Sequence, residues 1–222
     1  MVAGQKLRLG IARWAAILAQ GAEPEELGEV AALAEIPAVL RRRCPPFTRD
    51  ALRCGLRLLQ GAPLSDLVFC SWNGDLAATV QLLEDIQQRT LLSPAQFSLS
   101  VHNASAGLLG QALGRTSNHT AIAAGELSLQ AGLIDTYTRL INNEAPSVVL
   151  VFADVSIPPP YTRFDPTGPN VHLAMLLHGD DREDGAHFVN PGRHGGAALA
   201  RALHNGARAL EFSPPSLARR AP

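Results

Sequence analysis

The chain reads as an α/β protein on a mostly parallel five-stranded sheet with helices on its faces, and three observations carry that reading. Short, almost wholly apolar runs recur, Leu67 to Ser71 (LVFCS) and Ser147 to Val155 (SVVLVFADV), of the kind found in strands buried on both faces. Between them lie segments with apolar residues at helical spacing. The two kinds alternate, which is the pattern of parallel strands joined by right-handed helical crossovers. With 222 residues, 46% of them hydrophobic and 18% charged, the chain has material for one substantial core. The expected division is a main domain over residues 1–180 and a C-terminal extension over 181–222.

Taken in order, Lys6 to Trp14 alternates Leu7, Leu9 and Ile11 with polar or small residues and predicts a half-buried strand. The acidic stretch from Pro24 to Leu33 fits either a short helix or a polar excursion. Ile36 to Leu59 divides into a Pro- and Arg-rich loop and a helix with Thr48 as its N-cap, whose apolar stripe is Ala51, Leu52, Leu56 and Leu59. A crossover helix is expected over Gly74 to Gln88, with Leu76, Val80, Leu83 and Ile86 on one side. Phe97 to Gly110 (FSLSVHNASAGLLG) then reads as a strand, a sharp turn and a helix. Phe97, Leu99 and Val101 alternate, His102 and Asn103 turn the chain, and small residues begin a helix that Gly114 stops. His119 to Ala124 predicts a short strand, Leu127 to Asn142 a long helix, and Asn170 to His178 a last strand after the proline-rich loop from Ile157 to Pro169. Gly192 to Leu210 reads as an alanine-rich helix and Phe212 to Pro222 as a disordered tail.

Composition excludes several classes of function. Nineteen basic against twenty acidic residues leave a net charge of −1, so no global attraction to nucleic acid or to an anionic membrane is expected. Cys44, Cys54 and Cys70 are an odd number without metal-finger spacing, which argues against a disulfide framework or a zinc site. No run approaches the roughly 20 apolar residues a membrane span needs, and the N-terminus lacks a signal-peptide core, so a cytoplasmic location is expected. There is no Gly-rich phosphate loop, and the acidic cluster Asp180, Asp181, Glu183 and Asp184 lacks calcium-loop spacing; no cofactor and no metal are expected.

A strand–turn–helix junction is where catalytic nucleophiles often sit, because the first N–H groups of the helix point at the turn and favour negative charge there. LVFCSWNGDLAATVQLLEDI, FSLSVHNASAGLLGQALG and VLVFADV with the prolines after it, in that order and spacing, resemble the N-terminal half of a β-ketoacyl synthase. The resemblance is to the short chain-length factors of bacterial aryl-polyene and related fatty-acid-type clusters. It implies a thiolase-like half fold of three-layer type and covers the chain to about His178. It places Asn103 where an active ketosynthase has the cysteine that takes the acyl chain as a thioester, and a carboxamide cannot form that thioester. The two histidines of the family's C-terminal half have no counterpart here, and no role passes to His187, His194 or His204.

The resemblance further implies a non-catalytic subunit that pairs with an active ketosynthase through Phe97, Ser98, Leu99, Ser100 and Val101, as a strand across a two-fold axis. Apolar residues between Gly107 and Leu133 would then help to limit the partner's acyl tunnel. It admits a homodimer in the partner's absence. Arg41, Arg42 and Arg43 are candidates for contact with an acyl carrier protein, since arginine forks match phosphate and carboxylate oxygens; the competing reading is a solvated loop. Asn103 also suits a helix cap, and His102 and His119 suit ordinary polar roles near the turn. A second function is a serine hydrolase. Asn103-Ala104-Ser105-Ala106-Gly107 approximates a nucleophile elbow, and Ser105, Asp154, then His172 or His178 keep the order of a triad, although the first glycine of the elbow is missing.

Overall fold

The computed structural model describes residues 6–19, 23–62, 65–114, 118–164, 170–179, 186–187 and 195–213. The strands are β1 (Leu7–Ala19), β2 (Glu25–Gly28), β3 (Asp66–Cys70), β4 (His119–Ile122), β5 (Val148–Asp154), β6 (Asn170–Gly179), β7 (Ala186–His187) and β8 (Ala209–Phe212). The helices are α1 (Ala38–Arg43), α2 (Pro46–Gln60), α3 (Leu76–Gln87), α4 (Pro94–Ser100), α5 (Ala104–Ala112), α6 (Ser128–Ile141) and α7 (Gly195–His204). The strands form one eight-stranded sheet in the order β4-β3-β5-β6-β1-β8-β7, with β2 paired to β1. Helices α2 and α5 cover one face and α6 and α7 the other, which gives three layers.

The α/β class holds, but the sheet is mixed and larger than five strands. β3 pairs in parallel with β4 and β5. β6 runs antiparallel to β5, and β1 antiparallel to β6, β8 and β2. For β5 and β6 the reason is local: among the described residues between Asp154 and Asn170 there is only a short 3-10 turn, Tyr161–Phe164, and no crossover α-helix of the kind a parallel return needs.

β1 continues past Trp14 to Ala19, and its register against β6 slips between Ile11 and Arg13, so that Ala12 is an extra residue. Before the bulge Leu7, Leu9 and Ile11 face the α6–α7 layer; after it Ala16 and Leu18 do, while Ala15 and Ile17 face α2. β5 is buried throughout, as its apolar run predicts. The α2 stripe is buried at Ala51, Leu52, Leu56 and Leu59. Its start differs from expectation, because Pro45 and Pro46 take the cap and first-turn positions and Thr48 lies inside the helix. Glu25–Gly28 forms an edge strand in the acidic stretch, and a 3-10 turn follows at Leu33–Glu35. The alanine-rich helix is shorter than its sequence span, since the chain turns at Gly206 and adds β8 to the sheet. Of the expected tail, residues 214–222 lie outside the described residues, as does the acidic cluster at 180–184.

The largest correction concerns Phe97 to Val101, which is not a strand. Ser93 caps α4 by accepting from the Gln96 N–H at 3.4 Å, and Pro94 stands at its first position. The Ser98 and Ser100 hydroxyls donate to carbonyls three residues back at 2.8 and 2.9 Å. Of the alternating apolar residues only Leu99 is buried; Phe97 is 62% and Val101 46% exposed. An alternation that buries one residue in three leaves nothing to hold a strand, and the strong local cap decides.

Candidate functional site

Three connections meet at the carboxyl ends of the parallel strands, where open α/β sheets present their sites. They are Ser71–Asp75 after β3, Ala123–Leu127 after β4, and the residues that follow Asp154 in β5. Asp154 organises the group: its Oδ1 accepts from the Trp72 N–H at 2.9 Å and the Ser71 hydroxyl at 3.3 Å. Ser71 Oγ in turn accepts from the Gly74 N–H at 2.8 Å. The His102 ring lies edge-on to Phe69 at 5.6 Å, and its Nε2 meets the Ser71 carbonyl at 3.1 Å. Gly74 adopts φ 58° with the His102 ring close to where a Cβ would stand. At the β4 junction Gly125 adopts φ 60°, and the Ser128 hydroxyl accepts from the Ala124 N–H and donates to the Gly125 carbonyl.

This geometry relocates the elbow. Asn103 stands between two helices, α4 and α5, at the cap position of α5 but without a side-chain capping bond. The strand–turn–helix junctions are those after β3 and β4, and their turn residues, Ser71 to Asp75 and Ala123 to Leu127, include no thiol. Cys44, Cys54 and Cys70 are all buried elsewhere, and burial pushes each thiol up from its ordinary range, away from the reactive thiolate. The sequence did carry the signal for the β4 junction, a short apolar run followed by Gly125 and a long helix.

The triad order is not met in space. Ser105 is buried against α2, where its Oγ lies 3.2 Å from Thr48 Oγ1. His172 pairs in register with Ala153, and strand alternation puts the Asp154 side chain on the opposite face of the sheet. His178 lies at the far end of β6, beside the start of β5 and roughly 20 Å along the strand from Asp154. The hydroxyl, imidazole and carboxylate of an elbow site are therefore not assembled.

Arg41, Arg42 and Arg43 form the last turn of α1 and not a loop. Arg41 donates to the Leu33 carbonyl at 3.4 Å, while Arg42 and Arg43 are exposed. Near the sheet edge, Arg139 on α6 clasps Asp66 at 2.7 Å, Asp135 at 2.9 Å and the Thr120 hydroxyl, tying β4 to β3 and α6. Among the described residues no group of three or more His, Cys, Asp or Glu side chains is placed to hold a metal ion, and no helix is long and apolar enough to cross a membrane.

Comparison with known proteins places this architecture. No curated protein matches the chain. A chain of the ketosynthase ApeO–chain length factor ApeC complex from Xenorhabdus doucetiae is 26% identical with a TM-score of 0.70, covering 90% of this chain and 91% of that one. The ishigamide ketosynthase/chain length factor shares the fold at 14% identity and a TM-score of 0.60, covering 80% of this chain and 64% of its own. A β-ketoacyl synthase from Burkholderia phymatum does so at 10% identity and a TM-score of 0.60, with 79% and 60% covered. The family model for the β-ketoacyl synthase N-terminal domain matches residues 13–195. A thiolase-like sheet between two helical layers, with its polar hub at the strand ends, is thus accounted for: the chain belongs to the β-ketoacyl synthase N-terminal domain family.

Proposed function

We propose that the chain is a non-catalytic ketosynthase-like subunit, a chain-length factor, that pairs with an active β-ketoacyl synthase and shapes its acyl-chain tunnel. The observation that carries this reading is the open edge of the sheet. β4 ends the strand order. The Leu67 and Ser71 N–H groups donate to the Asn118 and Ile122 carbonyls, so Ala121, one residue out of phase, turns its N–H and C=O away from β3. Such an edge is a template for another strand.

Beside it, α5 packs near β4 and α4 near α5, and Phe97 on α4 and Val101 just after it face the outside. Leu83, Ile86, Leu91 and Leu92 on the adjoining segments are exposed as well. Exposed large apolar side chains on neighbouring segments mark an interaction surface. Phe97 to Val101 therefore serves the interface as a helix flanking the pairing strand. The absence of a thiol from the β3 and β4 turns supports a non-catalytic role, and the Xenorhabdus relative comes from a ketosynthase–chain length factor complex. In this reading Arg41, Arg42 and Arg43 receive the acyl carrier protein, the pathway is of fatty-acid or aryl-polyene type, and the complex works in the cytoplasm.

Co-expression with a ketosynthase encoded beside it, followed by size-exclusion chromatography, tests the pairing. One co-eluting complex is expected, with a product length that shifts when this subunit is omitted. Two separate peaks would sink the proposal.

A further inference from the structure

A cavity of about 360 Å³ opens where the first residues of α2, the first turn of α3 and the ends of β1 and β5 meet the start of β6. Its walls are mostly apolar, with Ile17, Phe47 and Val155 among them, and it carries three titratable side chains, Asp50, Asp75 and His172. Two of these hold an unspent hydrogen-bonding atom. Asp75 is 8% exposed; its Oδ1 caps α3 by accepting from the Ala78 N–H at 3.0 Å, and its Oδ2 has no partner among the described residues. His172 is 4% exposed, its ring is hydrogen-bonded to the Phe47 backbone, and its Nε2 is likewise without a partner there. Buried polar groups are nearly always satisfied, so two such atoms on side chains lining one cavity call for an occupant.

What remains unspent defines that occupant. Burial holds the His172 ring below the ordinary imidazole range, so it is neutral near pH 7. The N–H that meets the Phe47 carbonyl is then Nδ1, and Nε2 is an acceptor. Asp75 Oδ2 is a second acceptor, and burial holds its carboxyl above the usual range, as for a carboxylate that lacks a cation. Asp50 adds a further carboxylate, 3.7 Å from Arg53. Among the described residues no lysine or arginine lines the cavity. Acceptors set in apolar walls are complemented by a positively charged donor on a short hydrocarbon stem.

We propose that this cavity binds an alkylammonium group, whose N–H donors reach Asp75 Oδ2 and His172 Nε2 while its stem lies against Phe47 and Val155. A free small amine and a lysine side chain from a partner protein present the same chemistry. The proposal does not rest on the pairing argued above.

Calorimetric titration of the full chain with n-butylammonium chloride tests it, with n-butanol and sodium butyrate as controls. Saturable binding of the ammonium is expected, at least about tenfold tighter than the alcohol, with none of the butyrate. Asp75→Asn keeps an oxygen to cap α3 and removes the charge, so it should weaken binding about tenfold with unchanged far-ultraviolet circular dichroism. If that variant unfolds, His172→Gln gives a second reading, with the same loss expected. Repeating the titration on the ketosynthase complex separates the sources: binding lost there assigns the cavity to a partner's lysine, and binding kept assigns it to a free amine. No heat with any probe, meaning that the cavity holds water only, overturns the proposal. So does equal binding of alcohol and ammonium, or wild-type binding by the folded variants.

Discussion

Two strands of the sheet, β1 and β4, are finished in opposite ways. Inside the sheet the backbone of β1 is used on both sides, by β6 along one edge and by β8 and β2 along the other. At an end of the strand order β4 is four residues long, only half buried, and, among the described residues, paired on one side alone. Burial concentrates stability in the centre, while the β4 edge keeps backbone capacity that the monomer does not spend. Local opening free energies in proteins follow such gradients, and binding surfaces are drawn from the low end. The Arg139 clasp on Asp66 and Thr120 keeps this thinly packed strand in place.

Breaking the centre, the β4 edge and the β1–β8 seam in turn sharpens the contrast. The largest effect on folding is expected at the centre, where Leu150 is fully buried on β5. Leu150→Ala should cost about 3 kcal/mol in denaturant titration, whereas Ile122→Ala at half-buried β4 should cost less than about 1.5 kcal/mol. Equal losses would remove the gradient. Ala121→Pro deletes an outward N–H and leaves the β3 ladder intact. The chain should fold with near-normal stability and lose affinity for the ketosynthase about a hundredfold, or about 2.8 kcal/mol, by surface plasmon resonance. Undiminished binding would move the interface off β4.

The smallest effect belongs to the β1–β8 seam, where Glu211 on β8 pairs with Lys6 at 2.6 Å and Arg8 at 2.9 Å. These partners hold its carboxyl down at about 2, below the ordinary carboxylate value. A depressed value means that the pair stabilises the folded chain above the ordinary value of about 4.3 and stops doing so as pH falls towards 2. The Tm advantage of the wild type over Glu211→Gln should therefore shrink across that window; a gap constant with pH would exclude the pairing.

How much was legible in the sequence depended on whether neighbours or local signals decide each element. β5 and the α2 stripe were plain because burial writes itself into an apolar run or a helical period. Phe97 to Val101 misled because five alternating residues also fit a short helix, and the deciding Ser93-Pro94 cap lay in what read as a turn. β8 was absorbed into the preceding helix because four residues carry too little periodicity to stand alone. At the site, the fault followed from the same segment: once Phe97 to Val101 was a strand, Asn103 became the elbow, and Gly125 after β4 was passed over. Asp75 and His172 were not legible as a pair, since nothing linear brings the α3 cap to the start of β6.

The extra residue in β1 has a consequence for how this chain can vary over generations. Ala12 resets the alternation of the strand, so that Leu7, Leu9 and Ile11 share the α6–α7 face with Ala16 and Leu18. Losing or gaining one residue between Leu7 and Leu18 would turn half the strand inside out, while exchanging one aliphatic residue for another would not. Descendants of this sequence should therefore differ here by substitution and hardly ever by length, which gives β1 the character of a reading frame fixed by packing.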